Sequence, residues 1–386
     1  MSEDKTITEV VWRVPLSDVI VDDAVADAAL AVIRSGWWSM GPQVEEFERE
    51  FAAFCGAKHA LAVASGTAAL HLGLLAVGCR SEDEVVVPSL NFVAAANTIV
   101  HTGATPVFCD IVGSEELNLD PADVEAAVGP RTRALLVLHY GGFPCDMEAL
   151  IEVAQRHSLG IVEDAAHAPG ASYRGRMCGT LGSIGCFSFF ANKNLPVGEG
   201  GMLVTNDDAL AAKLRLLRSH GMTTLTWDRH RGHASSYDVV TAGFNYRLDE
   251  ARAAVGLVQL GRLPDENAER ARISARYREA LDGERGLSLP FGREDDTRQS
   301  SHHLAVVLLP EGSDRDAVRS ALAEQGIQTS VHYPPIHTFT YYREAAVQRP
   351  LPQTDAVARR LLTLPLFGRM TDEQADAVIA GLLDAV

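Results

Sequence analysis

The chain has 386 residues, of which 47% are hydrophobic and 22% are charged, and its formal net charge is −17. This length and composition exclude an intrinsically disordered chain and are typical of a globular protein with enough core for one large and one small domain. The negative charge argues against binding to nucleic acid or to an anionic membrane surface, although a local pocket lined by N–H groups can still hold a phosphate.

The sequence of the N-terminus, the lack of long apolar runs and the positions of the cysteines indicate a cytoplasmic protein. The first ten residues are charged, and no run of 18 apolar residues occurs, so we expect neither a signal peptide nor a membrane span. None of the six cysteines has Cys-x-x-Cys spacing, and most lie in apolar runs, as Cys109 and Cys186 do. We therefore expect buried thiols in a reducing compartment. The pair His332 and His337 lacks helical spacing and has prolines between its members, so no metal site is expected there.

The spacing of apolar residues predicts the elements in chain order. Val44, Phe47, Phe51 and Phe54 recur at helical spacing. Short apolar strands then alternate with helices. The predicted strands are 59–64, 84–88, 105–110, 134–140 and 160–164, and the predicted helices are 67–77, 92–101, 121–128 and 147–157. Because these strands are too short and too apolar to alternate in polarity, they indicate an α/β fold with a mainly parallel sheet that helices cover on both faces.

The pattern changes near residue 249. Two consecutive helices are predicted at 249–260 and 266–281, and they are followed by a strand at 301–309 and helices at 315–325 and 372–383. We place a domain boundary at Arg262-Leu-Pro264, between the first two of these helices. The expected organisation is a large domain over residues 1–262, which includes the N-terminal segment, and a small C-terminal α/β domain over residues 263–386.

One of the rare lysines lies in a distinctive segment. The chain has four lysines against thirty arginines, and Lys193 stands between the apolar run 185–190 and a Gly-Glu-Gly-Gly turn at 198–201. Arginine stays protonated at ordinary pH, whereas a desolvated lysine can act as a nucleophilic amine. Lys193 is therefore a candidate Schiff-base lysine. From this segment alone, a surface lysine that extends its amine into solvent is an equal alternative.

Residues that follow predicted strands are candidates for a binding site, because ligands in open α/β sheets bind at the carboxyl ends of the strands. The turn 65–67 opens a helix and can offer N–H groups to a phosphate, or it can serve only as an N-cap. Phe92 follows the strand 84–88, where its ring can stack on a planar cofactor or pack in the core.

Three further polar residues follow strands. Asp164 can hold the nitrogen of a pyridine ring protonated, or it can cap the next segment. His167 can reach another polar group of that ring, or it can be a core histidine. Ser188 lies five residues before Lys193 and can donate to the phosphate at the turn 65–67. Together, a phosphate turn, a stacking ring, a strand-end carboxylate and a lysine fit one cofactor, pyridoxal 5′-phosphate.

With these residues identified, the chain resembles the DegT/StrS-type aminotransferases, which act on keto-sugars of nucleotide sugars and on some keto-cyclitols. Their fold is that of aspartate aminotransferase, and the resemblance therefore implies that the sheet is a mixed, mainly parallel sheet. The resemblance runs along nearly the whole chain and is carried by seven segments in the family's order. These are residues 35–42, 65–72, 83–89, 163–167, 188–201, 243–247 and 331–337.

The resemblance implies a role for each residue around the cofactor ring. Lys193 is similar to the catalytic lysine that forms the Schiff base, and Asp164 to the partner of the pyridine nitrogen. His167 corresponds to the residue that contacts the ring hydroxyl, and Phe92 to the aromatic side chain stacked on the ring.

The resemblance also implies a phosphate site and a dimer. Gly66, Thr67 and Ser188 correspond to phosphate ligands. Asn245 is similar to a family residue that reaches the phosphate of the neighbouring subunit, which implies a homodimer with shared active sites.

The implied reaction is a ping-pong transamination from glutamate or glutamine to a keto-sugar of a nucleotide sugar, in secondary-metabolite or surface-sugar biosynthesis. A keto-cyclitol or another antibiotic precursor is an alternative acceptor, and a dehydration or a non-enzymatic role is a further alternative. Lys193 argues against the dehydratase members, in which histidine replaces the lysine. Phe190 and Asn91 stand where many members have His and Thr, so the substrate stays open.

Overall fold

The computed structural model describes residues 12–224, 236–292 and 296–386. The strands in this part of the chain are β1 (His59–Val63), β2 (Glu84–Pro88), β3 (Thr105–Cys109), β4 (Thr132–Leu138), β5 (Gly160–Asp164), β6 (Ser172–Tyr173), β7 (Arg176–Met177), β8 (Ile184–Ser188), β9 (Gly201–Thr205), β10 (Arg298–Gln299), β11 (Ala305–Leu308) and β12 (Leu361–Leu364). The α-helices are α1 (Asp23–Ser35), α2 (Pro42–Cys55), α3 (Gly66–Ala76), α4 (Ala94–His101), α5 (Pro121–Ala127), α6 (Met147–His157), α7 (Asp208–Arg218), α8 (Glu250–Leu281), α9 (Arg315–Glu324), α10 (Tyr342–Ala345), α11 (Pro352–Arg360) and α12 (Asp372–Ala385).

A seven-stranded sheet carries the functional residues. Its strand order is β1-β9-β8-β5-β4-β2-β3. Neighbouring strands are parallel except at β9, which pairs antiparallel with both β1 and β8. The predicted mixed, mainly parallel sheet is confirmed. The predicted strands 84–88 and 160–164 have the observed bounds, whereas β4 begins and ends two residues before the predicted strand 134–140.

Helices cover both faces of this sheet, as predicted. On one face, α3, α4 and α7 pack against alternate strand residues such as Val85 and Val162. On the other face, α2 and α8 cover one half of the sheet, and α5 and α6 cover the other half through residues such as Val86 and Ile161. The buried carboxylate of Glu250, at the start of α8, accepts hydrogen bonds from three N–H groups at the start of α2 and so joins the two helices.

The two helices predicted at 249–260 and 266–281 are one helix. α8 runs for 32 residues with Pro264 inside it, so the proline that was expected to separate two helices does not end this one. The first part of α8 packs against the large sheet through Leu260 and Leu263, and the last part joins a second core through Ile273 and Tyr277. Because the helix is continuous across residue 262, the division of the chain there stays a prediction.

The second core lies in the C-terminal part of the chain. The antiparallel strands β11 and β12 pack with α9 and α12 around residues such as Val307, Leu322, Leu362 and Val378. The strand predicted at 301–309 is shorter in the structure, because residues 301–304 instead bond to the turn after β4, where His303 N–H donates to the Gly141 carbonyl at 2.9 Å. None of the helices in the described ranges is long and apolar enough to span a membrane.

Candidate active site

The carboxyl ends of six strands lie along one edge of the large sheet. The strands that run in the same direction, because only β9 is reversed, are β1, β2, β3, β4, β5 and β8. The segments that leave these ends are therefore brought together, and they contain most of the residues predicted to bind the cofactor.

The turn at the start of α3 lies against the end of β8. The Ser65 hydroxyl accepts a hydrogen bond from Ala68 N–H at 3.1 Å and so caps the helix. A Cβ atom added to Gly66 would lie 2.7 Å from the Ser188 Cβ and 3.1 Å from its hydroxyl, so glycine is required by this close approach. The structure thus places Gly66, Thr67 and Ser188 together. The N–H groups of Gly66 and Thr67 open an 11-residue helix and have no acceptor within it, which suits an anion.

Asp164 ends β5 as a buried carboxylate with acceptor capacity left over. It is 5% exposed and accepts one hydrogen bond among the described residues, from Ala166 N–H at 3.2 Å. Burial raises the pKa of Asp164 to about 6, although the Ala166 hydrogen bond and the positive charge of Lys193 oppose this rise. A buried carboxylate in this state favours a cationic N–H partner.

Glu163, the residue before Asp164, differs from it in the number of hydrogen bonds that its carboxylate accepts. Glu163 is also buried, but its carboxylate accepts hydrogen bonds from three N–H groups of the loop 179–182 and contacts His139 Nε2 at 2.9 Å. The Nδ1 atom of His139 accepts the N–H of Cys145 at 3.1 Å, so Nε2 carries the proton and donates it to Glu163. Glu163 is therefore fully used in fixing the loop beside β5, and Asp164 is the carboxylate available to a ligand.

Lys193 brings its amine to the same edge of the sheet. Its backbone N–H donates to the Phe190 carbonyl at 2.9 Å, which closes the turn after β8. Burial of the amine lowers the pKa of Lys193 to about 8, and the negative charge of Asp164 opposes this decrease. A larger fraction of this amine than of a free lysine is therefore unprotonated near neutral pH, as a nucleophilic lysine requires.

His167 presents an N–H donor toward the site. Its Nδ1 atom accepts the Gly141 N–H at 3.3 Å, so Nε2 carries the proton and donates to the Tyr333 hydroxyl at 2.8 Å. Burial lowers the pKa of His167 well below its ordinary value, so the ring is neutral. A histidine that here binds a phenolic hydroxyl has the chemistry to bind the hydroxyl of a pyridine ring.

Phe92 does not lie in the core. Its side chain is 54% exposed, and its ring lies 5.8 Å from the ring of Tyr333. An exposed aromatic ring at the edge of a sheet leaves a face available for stacking.

Asn245 lies apart from the other predicted ligands. It is exposed and pairs with Ser219 in an isolated bridge. It hydrogen-bonds to none of the other predicted site residues in the described part of the chain. The segment 243–247 runs beside the end of β1, where Ala64 N–H donates to the Tyr246 carbonyl at 2.8 Å. Its role toward a neighbouring subunit stays a prediction.

Two residues of this site were not identified from the sequence. His303 contacts the Lys193 amine at 3.4 Å, and Tyr333 contacts His167. Both lie beyond α8 in sequence. The only available signal for His303 was a polar pair, His302 and His303, at the start of a predicted apolar strand. Tyr333 lies in the segment 331–337, which carried the family resemblance without an assigned role.

The residues fit pyridoxal 5′-phosphate. The N–H groups of Gly66 and Thr67 lie beside Ser188 and can bind a phosphate. Asp164 can accept a hydrogen bond from the pyridine nitrogen, and Lys193 has a desolvated amine that can react with an aldehyde. Among the described residues, no group of three His, Cys, Asp or Glu side chains is arranged to hold a metal ion.

Comparison with known proteins also indicates an enzyme that uses pyridoxal 5′-phosphate. The sequence pattern of the DegT/DnrJ/EryC1/StrS aminotransferase family matches residues 20–383. The chain is 45% identical over 361 residues to the spore coat polysaccharide biosynthesis protein SpsC of Bacillus subtilis (strain 168), with 92% of each chain covered. The aminotransferase TlmJ from Streptoalloteichus hindustanus has a TM-score of 0.89 at 35% identity, over 96% of this chain and 98% of that one. DesV from S. venezuelae has a TM-score of 0.86 at 41% identity, over 93% of each chain.

These matches cover nearly all of the chain, including the sheet that carries Lys193 and the residues predicted to bind the cofactor. The protein is therefore an aminotransferase that uses pyridoxal 5′-phosphate, and it belongs to the DegT/DnrJ/EryC1/StrS aminotransferase family.

Proposed function

We propose that the protein transfers an amino group from glutamate or glutamine to a keto-sugar of a nucleotide sugar. The observation that carries the proposal is the partly buried Lys193 amine, whose pKa is lowered to about 8 at the strand edge that also holds Asp164 and the turn 65–67. The name of SpsC, which concerns polysaccharide biosynthesis, supports a sugar as the amino acceptor and surface-sugar biosynthesis as its setting. Secondary-metabolite biosynthesis is the other setting that we consider.

The cofactor is held by groups from four strand ends in this proposal. The phosphate binds to the N–H groups of Gly66 and Thr67 and to the hydroxyl of Ser188. Asp164 accepts the N–H of the pyridinium, and His167 binds the ring hydroxyl. Phe92 covers one face of the ring. When bound, the cofactor supplies a carbonyl carbon that accepts nitrogen and a ring that withdraws electrons from the substrate carbon.

Lys193 would hold the aldehyde of the cofactor through its amine. When the amine is free, it lies in a desolvated site, where it can move a proton. At a pKa of about 8, the free amine accepts a proton from the substrate carbon and returns it on the other side of the reaction, as general base and then as general acid. Asp164 holds the positive charge on the ring nitrogen that makes this proton removal possible.

We place the reaction in a cytoplasmic homodimer. The six cysteines are buried and unpaired, which supports a reducing compartment. Asn245 is exposed and makes no hydrogen bond to the phosphate turn of its own chain among the described residues, which supports a contact with the neighbour's phosphate.

A keto-cyclitol is the second candidate acceptor. The Phe190 ring is 44% exposed beside the turn that carries Lys193, at a position where many sugar-specific members have histidine. An apolar ring here offers the acceptor no side-chain hydrogen bond, in contrast to histidine.

The attachment of the cofactor is tested by borohydride reduction and peptide mass mapping of the purified protein. We expect a phosphopyridoxyl group on Lys193 and none on Lys58 or Lys213. A label on another lysine, or the absence of any label, would contradict the proposal. Incubation with a panel of keto-sugar nucleotides and keto-cyclitols, read by product mass, then distinguishes the two acceptors. Glutamate and glutamine are compared as donors in the same assay.

A further inference from the structure

The amine of Lys193 has one hydrogen-bond partner in the described part of the chain. His303 Nε2 lies 3.4 Å from Lys193 Nζ. His303 is buried, at 6% exposed, and lies 110 residues further along the chain. Its role follows from which of its nitrogens carries the proton.

The orientation of Asn194 decides the tautomer of His303. The Asn194 Nδ2 atom lies 2.7 Å from the Ser301 carbonyl, which can only accept, so this atom is the amide nitrogen. The same nitrogen donates to Asn267 Oδ1 at 2.8 Å. The remaining Asn194 atom, Oδ1, is therefore an acceptor, and it lies 2.9 Å from His303 Nδ1. His303 Nδ1 must carry the proton, which leaves the lone pair of Nε2 facing Lys193.

The chain of hydrogen bonds continues to a second fixed acceptor. Asn267, on α8, donates through Nδ2 to the Pro169 carbonyl at 2.9 Å. A Cβ atom added to Gly170 would lie 2.6 Å from this Nδ2, so glycine leaves the space that the amide occupies. Every donor thus points the same way, from Lys193 through His303, Asn194 and Asn267 to a backbone carbonyl. Hydrogen bonds aligned in this way strengthen one another.

The other groups around His303 do not compete for its Nε2. Both nitrogens of His167 are bonded elsewhere, to Gly141 N–H and to the Tyr333 hydroxyl. Burial lowers the pKa of His303 well below its ordinary value, and the neighbouring Lys193, His167, Arg270 and His332 also oppose a positive charge on its ring. His303 is therefore neutral.

We propose that His303 is a positioning residue that keeps the lone pair of the Lys193 amine free for an electrophile. A neutral amine has two N–H groups and one lone pair. In the tautomer that Asn194 requires, His303 accepts one N–H of the amine, which turns the lone pair of the amine away from the imidazole and increases the electron density of that lone pair. The opposite tautomer would donate its N–H to that lone pair and block it. The chain Asn194–Asn267–Pro169 excludes the blocking tautomer.

This inference rests on the proposed role of Lys193, and its test measures the amine directly, without turnover. The cofactor-free full-length protein is treated with a limiting amount of isotopically labelled acetic anhydride over a range of pH. Mass spectrometry of the peptides gives the rate constant and pKa of each lysine. Lys58 and Lys213 lie outside the site and provide internal references.

Two matched amide variants distinguish the roles of the two ring nitrogens of His303. Asparagine places its amide near the position of Nδ1 and cannot reach Lys193, whereas glutamine places an amide near the position of Nε2. Relative to Lys58 and Lys213, we expect His303→Asn to lower the rate constant of the unprotonated Lys193 amine about tenfold, which corresponds to about 1.4 kcal/mol. We expect His303→Gln to stay within about threefold of the natural protein, because its amide oxygen can accept the same N–H.

The control for general damage is His302→Asn. His302 is also buried, but the centroid of its ring lies 5.7 Å from that of Phe143, and the hydrogen bond of the Lys193 amine goes to His303 instead. This variant should leave the Lys193 rate constant unchanged, and thermal unfolding of all three variants reports their folding. Equal rate constants in His303→Asn and His303→Gln, or a faster reaction in His303→Asn, would overturn the proposal. Because borohydride mapping independently identifies the attachment lysine, a failure here is distinguishable from a failure of the proposed function.

Discussion

Asp164 has one hydrogen-bond donor for its buried carboxylate, and its pKa is raised to about 6. A raised carboxyl pKa means that the folded protein binds more protons than the unfolded chain between pH values of about 4 and 6. The stability of the cofactor-free protein therefore decreases as the pH rises through this range. The carboxylate that prepares the site for a pyridinium destabilises the fold when no pyridinium is present.

Replacement of this carboxylate by an amide tests both effects. We expect Asp164→Asn to increase the unfolding free energy of the cofactor-free protein at pH 7 by about 1–3 kcal/mol, and to have no such effect below about pH 4. The same change should lower the transamination rate by orders of magnitude, because it removes the charge that holds the ring nitrogen protonated. Denaturant unfolding at the two pH values and steady-state kinetics provide the measurements. Near-normal activity would show that Asp164 does not bind the ring nitrogen.

At the scale of elements, the start of α3 is fitted against the end of β8. Gly66 and Ser188 approach so closely that one added carbon atom would lie 2.7 Å from the Ser188 Cβ. Such a contact forces the turn and the strand apart, although alanine favours a helix more than glycine does.

A double-mutant cycle tests this fit. We expect Gly66→Ala to destabilise the protein by about 1–3 kcal/mol, and to weaken cofactor binding, because the N–H groups of the turn move. Adding Ser188→Gly should restore most of the stability, since it removes the Cβ and hydroxyl that the new methyl group would meet. Thermal unfolding and cofactor titration of both single variants and the double variant measure the coupling. Additive effects on stability would show that the two residues do not interact.

The elements that the sequence predicted well are those with an unambiguous apolar pattern. β5 and α6 have the predicted bounds, because each is a short apolar or amphipathic run with clear limits. α8 was divided in error at Pro264, since proline usually ends a helix. In the structure, α8 continues through Pro264 because buried residues on both sides hold the two halves in separate cores. Local propensity does not contain that tertiary constraint.

The sequence analysis identified some residues of the candidate site and missed others. Asp164 and Ser188 were identified as candidates because they lie at the ends of apolar strands, where ligands bind in open α/β sheets. His303 did not, because its contact with Lys193 depends on the path of the chain after α8 and on the turn at Gly141. A contact across 110 residues leaves no periodic signal in a single sequence.

At the scale of the whole molecule, the resemblance of Asn245 to a family residue that reaches the neighbouring subunit predicts a shared site, and the exposed position of Asn245 permits this contact. An amide here can donate to the neighbour's phosphate without adding charge. Asn245→Asp should inactivate the enzyme, because a carboxylate beside a phosphate repels it by a few kcal/mol at an effective dielectric constant of about 20.

Mixing two inactive variants tests this sharing. We expect Lys193→Ala and Asn245→Asp to regain activity when their subunits are exchanged, since one site of each mixed dimer then has both natural residues. Random exchange should restore about a quarter of the sites. Activity and dimer content are measured before and after exchange, with each variant alone as the control. If correctly dimerised mixtures stay inactive, Asn245 does not serve the neighbouring site.

The bond between Lys193 and His303 has a consequence for biosynthesis. The ribosome makes the chain from its N-terminus, so β1 to β9 and the lysine itself are complete before His303 and Asn267 exist. A partial chain that ends before residue 303 has the phosphate turn, Asp164 and the amine, but it lacks the acceptor that orients the amine. Full chemical competence of the lysine is thus acquired late in translation.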